Sequence, residues 1–438
     1  MNMTEIAALA KSASIKLAAV KTDVKNSALA QIAQTIKQRI GKIVSANKED
    51  LSAAQKDHLA GPLLKRLKFD EDKIAQAIAG IESLITLDDP AGRTLAATEL
   101  DAGLELYKVS CPIGVIGVVF ESRPDALVQI STLCLKSGNA VLLKGGSEAA
   151  RTNRILTQII AEASEKAGLP QGWIQLLETR QDVAEMLALD DHIDMVIPRG
   201  SNEFVRYIMN NTNIPVLGHA EGICHVYVDG DADVEMAVNI TVDSKCQYVA
   251  VCNAAETLLV DSQTAGKFLP KVKMALEVKG VELRGCERTA SIIEVKPATE
   301  ADWSTEYLDS ILSIKIVGGL DEAIDHINHY GSKHTDAIVT ADKEKAERFM
   351  ALVDSANVLW NCSTRFSDGF RYGLGAEVGI STTKIHARGP VGLEGLVIYK
   401  WKLLGSGQIV ADYCEGRKKF SHRGISATEH TEDTENRK

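Results

Sequence analysis

The residue best placed to do chemistry is Cys252, in the segment Val251-Cys252-Asn253-Ala254 just ahead of a predicted strand, Glu256 to Val260. A cysteine thiolate is a nucleophile, although most buried cysteines are inert packing residues. Cys252 falls where one α/β block gives way to another, a place where a side chain can face a cleft between domains. The sequence therefore offers a candidate nucleophile for covalent catalysis, with an inert core thiol as the alternative.

Two further segments place glycines at the ends of predicted strands. Lys144-Gly145-Gly146-Ser147 follows one such strand and opens a helix, and Pro198-Arg199-Gly200-Ser201 repeats the arrangement. Backbone N–H groups at a helix N-terminus, with a lysine beside them, form an anion-binding site. A plain turn would equally explain the first segment, and helix capping by Ser201 the second. Neither segment has a Walker or G-x-G-x-x-G pattern, so both interpretations stay open.

Two arginines are candidates for binding a substrate anion. Arg123 follows the most apolar predicted strand, Val115 to Phe120, and ligands of open α/β sheets bind at the carboxyl ends of strands. A structural ion pair with Glu121 is the alternative. Arg365 lies in a polar loop from 361 to 377, whose length and composition favour a functional loop. A guanidinium in either place can hold a carboxylate or phosphate through two hydrogen bonds.

Composition excludes several other functions. Lys and Arg total 49 against 59 Asp and Glu, so the net charge is −10, and we expect no nucleic-acid partner. No apolar run approaches the roughly 18 residues of a membrane span. The cysteines have no metal-type C-x-x-C, and His386, Arg388 and Glu394 lack a zinc spacing, so we predict no metal. Without a secretory segment, we expect reduced cysteines and a cytoplasmic location.

The elements that must position these residues alternate along the chain. Residues 1 to 85 are predicted to be helical, and from 115 onward apolar runs alternate with helix patterns. This rhythm predicts an α/β fold with a mostly parallel sheet and helices on both faces. Near 237 a second α/β block begins. Strands at 396–399 and 407–412 are predicted to form a terminal hairpin, and 415–438 a flexible tail.

Together these segments resemble the gamma-glutamyl phosphate reductase family of the aldehyde dehydrogenase superfamily. The resemblance is colinear from about residue 5 to about residue 415. The segments that carry it are Gly114 to Asp125, Lys144 to Ala149, Pro198 to Ser201, Gly218 to Asp229, Val251 to Leu259, Asn361 to Gly369, Gly373 to Ile380 and His386 to Pro390.

The resemblance implies an enzyme, a phosphorylating glutamate-5-semialdehyde dehydrogenase of proline biosynthesis. NADPH would reduce L-glutamate 5-phosphate to L-glutamate 5-semialdehyde and phosphate. Cys252 matches the family's nucleophile, whose thiolate attacks the acyl phosphate and leaves a thioester. Arg123 stands near the position of an oxyanion-binding asparagine in other aldehyde dehydrogenases. We predict that Arg123 is catalytic, stabilising the oxyanion and the leaving phosphate.

Binding residues are implied by the same matches. The predicted substrate-binding residues are Arg123, Asn253, Ser363, Thr364 and Arg365. The predicted cofactor-binding residues are Lys144, Gly146, Ser147, Gly200, Ser201 and Glu306. Ser147 stands where NAD-preferring relatives often have a glutamate, which leaves room for a 2′-phosphate and predicts NADP(H). The general-base glutamate of hydrolytic relatives falls on Gly218 here, which predicts slow thioester hydrolysis, although Glu221 lies close by.

The resemblance also implies an aldehyde dehydrogenase-like architecture. A Rossmann-type cofactor domain would span 1–98 and 111–236, and an α/β catalytic domain 237–392. A β-hairpin oligomerisation arm would combine 99–110 with 393–414, which predicts a homo-oligomer, a dimer or tetramer. Since the sequence shows no kinase domain, a separate glutamate kinase is expected to supply the acyl phosphate, with a transient contact possible between the two.

Two alternatives stay open on the sequence alone. One is an acylating aldehyde dehydrogenase that acts on another acyl phosphate or an acyl-CoA. The loop around Arg365 argues instead for a substrate with a carboxylate and an ammonium group. The other is a binding or structural relative without activity, which the presence together of Cys252, Lys144, Arg123 and Glu306 argues against.

Overall fold

The computed structural model describes residues 1–121 and 123–425, which form two compact units. The first unit contains Met1–Gly200, Ile208–Val216 and the residues from Gly392 onward, and the second contains Ser201–Tyr207 and Leu217–Val391. Among the described residues, no helix has both the length and the apolar character needed to cross a membrane.

The first unit begins with the predicted helical region. Its helices are α1 (Met3–Leu17), α2 (Thr22–Gln38), α3 (Ile40–Lys56), α4 (Gly61–Leu67) and α5 (Glu71–Thr86). Helix α2 buries Leu29, Ile32 and Ile36, which follow the helical spacing seen in the sequence. Asp70 caps the N-terminus of helix α5, and its side chain accepts a hydrogen bond from the Lys73 N–H.

A four-stranded parallel sheet forms the centre of the first unit, in the order β5-β4-β3-β6. Its strands are β3 (Val115–Phe120), β4 (Ala140–Lys144), β5 (Ile174–Leu176) and β6 (Met195–Arg199). The connecting helices are α6 (Pro124–Ser137), α7 (Ala150–Lys166) and α8 (Arg180–Met186). Every residue of β3 and β4 is buried, as expected for apolar runs in a parallel sheet.

A second sheet of the first unit is antiparallel, in the order β16-β2-β1-β17. Its strands are β1 (Thr94–Asp101), β2 (Leu104–Pro112), β16 (Val397–Leu404) and β17 (Arg423–Gly424). Strand β16 pairs along its whole length with β2, from Val397 opposite Pro112 to Leu404 opposite Glu105. The predicted arm segments 99–110 and 393–414 therefore do meet in one sheet.

Two predictions for the C-terminal region differ from the structure. The segment predicted as a strand at 407–412 is wrong, because after β16 the chain instead forms helix α15 (Val410–Cys414). The tail predicted from 415 contains a strand, β17, within its described residues. There β17 pairs with β1, and Arg423 bonds Glu99 at 2.9 Å. Residues 426–438 of that prediction lie outside the described residues.

The second unit is built on a seven-stranded parallel sheet in the order β10-β9-β11-β8-β7-β12-β13. Its strands are β7 (Cys224–Val228), β8 (Ala255–Asp261), β9 (Glu282–Gly285), β10 (Lys296–Pro297), β11 (Ile311–Val317), β12 (Thr335–Val339) and β13 (Asn357–Trp360). The helices are α10 (Val234–Cys246), α11 (Ala265–Val278), α12 (Glu287–Ala290), α13 (Leu320–Tyr330) and α14 (Lys343–Leu352). The unit also contains helix α9 (Asn202–Asn210) as far as Tyr207. A short antiparallel pair, β14 (Gly379–Ser381) and β15 (Gly389–Val391), completes the unit.

Alternate residues of β7 pack on opposite faces of this sheet. Val226 and Val228 belong to one apolar cluster, with residues of α10 and α11, whereas Tyr227 belongs to another, with residues of α13 and α14. Because side chains alternate along a strand, both faces of the sheet are covered by helices. This confirms the predicted α/β fold with a parallel sheet.

The division into units differs from the predicted domain boundary between 236 and 237. Strand β7 lies inside the seven-stranded sheet, between β8 and β12, so the second unit already includes residues from Leu217. The sequence rhythm does not reveal this, because strand order in a parallel sheet is set by long crossovers and not by order along the chain.

Candidate active site

The candidate nucleophile, Cys252, lies in a turn between α10 and β8. Its side chain is partly exposed, and it is one of eight cysteines that are all free thiols, as predicted. The turn is closed by a hydrogen bond from the Ala254 N–H to the Val251 carbonyl at 3.1 Å. A reactive thiol must reach solvent or substrate, and this position allows it.

Backbone from the segment just ahead of β7 approaches the Cys252 turn closely. A Cβ atom at Gly222 would lie 2.0 Å from the Cys252 carbonyl oxygen and 2.5 Å from its Cα, so only glycine fits there. The thiol of Cys224, at the start of β7, donates to the same carbonyl at 3.1 Å. Burial raises the pKa of the Cys224 thiol well above its ordinary value, which keeps this donor protonated. These contacts fix the backbone that carries Cys252.

Glu306 is tied to the same segment. Its Oε1 accepts from the Gly222 N–H at 2.9 Å, and its Oε2 accepts from Asn202 Nδ2 at 2.6 Å. Glu306, a predicted cofactor-binding residue, therefore bonds Gly222, and Gly222 in turn lies against the backbone of Cys252. Asn202, at the start of α9, is a residue that the sequence analysis did not single out.

Two histidines beside Cys252 were also missed from the sequence. One ring nitrogen each of His219 and His334 and Sγ of Cys252 lie within 4.8 Å of one another. His334 directly precedes β12, and Cys252 precedes β8, and both strands border β7 in the sheet. Because the strands are parallel, residues ahead of them meet at one edge. The available sequence signal was a histidine directly before a buried apolar strand.

The loop that carries Arg365 is folded against the second unit. The side chain of Arg365 is only 8% exposed, and its Nε donates to Gln247 Oε1 at 2.9 Å. Burial lowers the pKa of this guanidinium, and the neighbouring charge of Arg371 lowers it further. In the described part of the chain Arg365 has no salt bridge, in contrast to Arg371 on the same loop. An anionic ligand would therefore stabilise this buried cation.

The other predicted substrate residues are buried around this loop. Ser363 caps a short 3₁₀ turn by accepting from the Arg365 N–H at 3.2 Å. The Ser244 hydroxyl accepts from the Thr364 N–H at 3.1 Å and donates to Ser363 Oγ at 3.2 Å. Asn253 donates from Nδ2 to the Ser367 carbonyl at 2.7 Å. These bonds give the residues a role in shaping the loop, and their role in substrate binding stays a prediction.

In the first unit, Lys144 ends β4 and is buried, with its Nζ donating to the Gly145 carbonyl at 2.6 Å. A Cβ atom at Gly146 would lie 2.0 Å from Glu148 Oε1, so the Glu148 side chain covers this glycine. Burial and the charge of Glu148 raise the pKa of Glu121. Ser147 is exposed at the start of a 3₁₀ turn. The predicted phosphate turn therefore holds the expected cation and also carboxylates.

The second predicted turn spans the boundary between the units, with Gly200 in the first and Ser201 in the second. Ser201 directly precedes α9, and its Oγ accepts from the Phe204 N–H at 3.4 Å, which is the capping role considered from the sequence. Arg123 begins α6 and pairs with Asp125 at 3.0 Å instead of with Glu121. Its predicted catalytic role is not tested by these contacts.

Glu221 is the glutamate closest in sequence to Gly218, the position that matches the general base of hydrolytic relatives. Glu221 forms an ion pair with Arg206 of α9. Gly218 itself contributes only its carbonyl, which accepts from the Thr382 N–H at 3.4 Å. The ion pair engages the Glu221 carboxylate, and the slow hydrolysis of the thioester stays a prediction.

Comparison with known proteins shows the family to which this chain belongs. Residues 2–284 match the model of the aldehyde dehydrogenase family. An acetylating aldehyde dehydrogenase from Geobacillus thermoglucosidasius has the same fold, with a TM-score of 0.63 at 17% identity, over 93% of this chain and 97% of that one. The chain belongs to the aldehyde dehydrogenase superfamily.

More similar relatives narrow the assignment. The gamma-glutamyl phosphate reductase of Pelotomaculum thermopropionicum is 67% identical over 426 residues, 97% of this chain and 98% of that one. The crystal structure of gamma-glutamyl phosphate reductase from Thermotoga maritima matches with a TM-score of 0.91 at 40% identity, over 93% of this chain and 100% of that one. The chain is a member of the gamma-glutamyl phosphate reductase family, and it is an oxidoreductase of amino-acid biosynthesis.

Proposed function

We propose that the chain reduces L-glutamate 5-phosphate to L-glutamate 5-semialdehyde and phosphate with NADPH, a step of proline biosynthesis, through a thioester on Cys252. The observation that carries the proposal is the Cys252 turn, held by Gly222 and Cys224, in a chain 67% identical to a protein named for this substrate. A partly exposed thiol on a fixed backbone is what nucleophilic catalysis requires.

The proposed reaction proceeds in two stages at Cys252. The thiolate attacks the acyl carbon of the substrate, a C–S bond forms, and the C–O bond to phosphate breaks with phosphate as the leaving group. When bound, NADPH supplies the hydride that reduces the thioester carbonyl. The C–S bond then breaks, Cys252 regains its thiolate, and the aldehyde leaves. The position that matches the general base of hydrolytic relatives is Gly218, and Glu221 pairs with Arg206, so neither residue supplies a free carboxylate to activate water.

Substrate recognition is assigned to the buried Arg365. A guanidinium held by Gln247 keeps its remaining N–H groups in a fixed plane, suited to the carboxylate of the substrate. Ser363, Thr364 and Asn253 would line the same loop. Arg123 remains the proposed partner of the oxyanion and the leaving phosphate, on the family match alone.

Cofactor binding is assigned to the turn after β4 and to Glu306. The cation of Lys144 and the small neutral Ser147 fit a 2′-phosphate, and Gly146 with Gly200 and Ser201 fits the close approach of a phosphate chain. The Glu148 carboxylate must turn away from Gly146 to admit that anion. Glu306 presents acceptor oxygens, which suit the hydroxyl donors of a ribose. These residues fit NADP(H).

Assembly is proposed through the antiparallel sheet. Strand β16 exposes Tyr399, Trp401 and Leu403, which are large apolar side chains on an edge strand. An unpaired edge strand can pair with another chain, and exposed apolar patches mark interaction surfaces. We accordingly propose a homo-oligomer, a dimer or tetramer, together with a cytoplasmic location and a transient contact with glutamate kinase.

The test is an assay in the oxidative direction on glutamate semialdehyde. We expect NADP⁺ reduction that depends on added phosphate, and its loss in Cys252→Ala. Cys286→Ala, which removes a partly buried thiol outside this site, is the control and should keep full activity. Activity with coenzyme A in place of phosphate would favour another acyl acceptor. Activity unaffected by Cys252→Ala would contradict the proposed mechanism.

A further inference from the structure

The cluster of His219, Cys252 and His334 brings together two imidazoles and a thiol within the second unit. Their ligand atoms lie within 4.8 Å of one another. The two rings meet edge to face, with centroids 4.7 Å apart and an interplanar angle of 70°. Cys252 and His219 are partly exposed and His334 is fully buried, so the cluster is open on one side.

Hydrogen bonds fix which nitrogen of His219 carries its proton. Nδ1 lies 2.8 Å from the Ile380 carbonyl oxygen, and a carbonyl can only accept. Nδ1 therefore holds the hydrogen, and Nε2 of the neutral ring has the lone pair. An imidazole oriented by an Nδ1–H bond to a backbone carbonyl is a common arrangement for a metal ligand.

His334 is oriented in the same way. Its Nδ1 lies 2.8 Å from Thr335 Oγ1, and the Thr335 hydroxyl donates to Ser367 Oγ at 3.0 Å. The Thr335 oxygen is thus the acceptor for Nδ1–H, which leaves the lone pair on Nε2. That Nε2 is buried and has no hydrogen-bond partner among the described residues. A buried nitrogen without a partner is costly, and a cation at its lone pair would remove the cost.

The donor set matches a borderline-soft divalent cation. A thiolate and two neutral imidazoles bind Zn²⁺ with about 2.3 Å to sulfur and about 2.0–2.1 Å to nitrogen, and a fourth position stays open for water. Ligand atoms on such an ion are about 3.3–3.8 Å apart. The cluster's ligand atoms lie within 4.8 Å of one another, so binding the ion requires the partly exposed Cys252 and His219 side chains to move closer to His334.

We propose that His219, Cys252 and His334 form a reversible inhibitory site for Zn²⁺ or a similar thiophilic cation. On binding, the Cys252 S–H bond breaks, an S–Zn bond forms and one proton is released to solvent. The ion is an inhibitor and not a cofactor, because it occupies the sulfur that the substrate must reach. The inhibitory role rests on the proposed function of Cys252, whereas the binding site itself does not.

The binding test uses Co²⁺ as a spectroscopic probe on the full, metal-free chain without substrate. We expect one equivalent of Co²⁺ to give tetrahedral d–d bands and a thiolate charge-transfer band, and Zn²⁺ to displace both. His219→Gln and Cys252→Ser should each weaken binding at least tenfold, and His334→Gln should do the same if circular dichroism shows that it folds. His329→Gln, an exposed histidine on α13, and Cys286→Ser are matched controls that should bind normally.

The inhibition test adds Zn²⁺ to the phosphate-dependent assay. We expect loss of activity in the wild-type chain and in His329→Gln, with full recovery on adding a chelator. Absence of the cobalt bands in folded wild-type protein, or bands that survive both His219→Gln and Cys252→Ser, would overturn the site. Binding without loss of activity would overturn the inhibitory role. Cobalt bands in a chain that fails the semialdehyde assay would keep the site and reject the proposed function.

Discussion

Gly222 lies against the backbone of Cys252 so closely that a Cβ atom there would be 2.0 Å from the Cys252 carbonyl oxygen. The obstructing atoms are backbone, which cannot rotate away as a side chain can. The same glycine donates its N–H to Glu306 at 2.9 Å. One residue without a side chain thus links the proposed nucleophile to the proposed ribose-binding carboxylate.

We predict that Gly222→Ala lowers kcat/KM at least about 100-fold, or about 2.7 kcal/mol, because the added methyl must displace the Cys252 turn. Overpacking should also lower stability by about 1–3 kcal/mol. Steady-state kinetics with thermal unfolding checks both. Gly266→Ala is the control, since a Cβ atom in that part of α11 meets nothing within 4 Å. Full activity in Gly222→Ala would show that the turn tolerates the shift.

The fold was largely predictable from local pattern, and the errors have physical causes. Val115–Phe120 and Ala140–Lys144 are apolar runs that allow only buried strands. The segment 407–412 was predicted to pair with the strand before it, yet its last residues begin helix α15 and β16 pairs with the distant β2. Pairing between distant segments decides such cases, and no local pattern reveals it.

The candidate site could be predicted where its residues lie close together in the sequence. Cys252 and Asn253 share one turn, and Ser363 and Arg365 share one loop. His219 and His334 reach Cys252 only because β8, β7 and β12 are neighbours in the sheet. The position of the Glu148 side chain over Gly146 was missed for another reason. The spacing of residues in the sequence does not determine the rotamer of a side chain.

Arg365→Lys is expected to raise KM for the semialdehyde at least tenfold, about 1.4 kcal/mol, with a smaller change in kcat. A lysine loses both the planar two-point contact with a carboxylate and the hydrogen bond to Gln247. Separate measurement of KM and kcat checks the prediction. Arg371→Lys, on the same loop and paired with Asp368 at 3.5 Å, should change KM less than about twofold. Equal effects of the two substitutions would contradict the assignment to Arg365.

Cofactor preference should respond to charge in the turn after β4. Ser147→Glu is expected to lower kcat/KM with NADPH at least tenfold and to leave NADH unharmed, because a carboxylate repels the 2′-phosphate. Glu148→Gln, which removes a carboxylate already lying over Gly146, is the opposite change and should improve kcat/KM with NADPH. The ratio of the two kcat/KM values for each variant measures the effect. A Ser147→Glu variant that loses NADPH and NADH equally would mean that the 2′-phosphate binds elsewhere.

Stability should depend on pH through His326 of α13. Burial lowers the pKa of this imidazole to about 2, with help from the charges of His225, Lys315 and His329, and Lys315 Nζ lies 3.1 Å from its Nδ1. At a pH below 6.5, the ordinary pKa of histidine, His326 binds a proton in the unfolded chain but not in the folded chain. The free energy of unfolding therefore falls as pH drops below 6.5, by up to about 1.4 kcal/mol per pH unit.

His326→Gln should remove this part of the pH dependence, because glutamine does not titrate and still offers Lys315 an acceptor. Urea unfolding at about pH 7.5 and about pH 5 should show a loss of stability on acidification that is smaller in the variant by about 2 kcal/mol. His329→Gln, exposed on the same helix, should keep the wild-type difference. The same pH difference in His326→Gln and wild type would mean that His326 is protonated in the folded chain, and that its burial does not set its pKa.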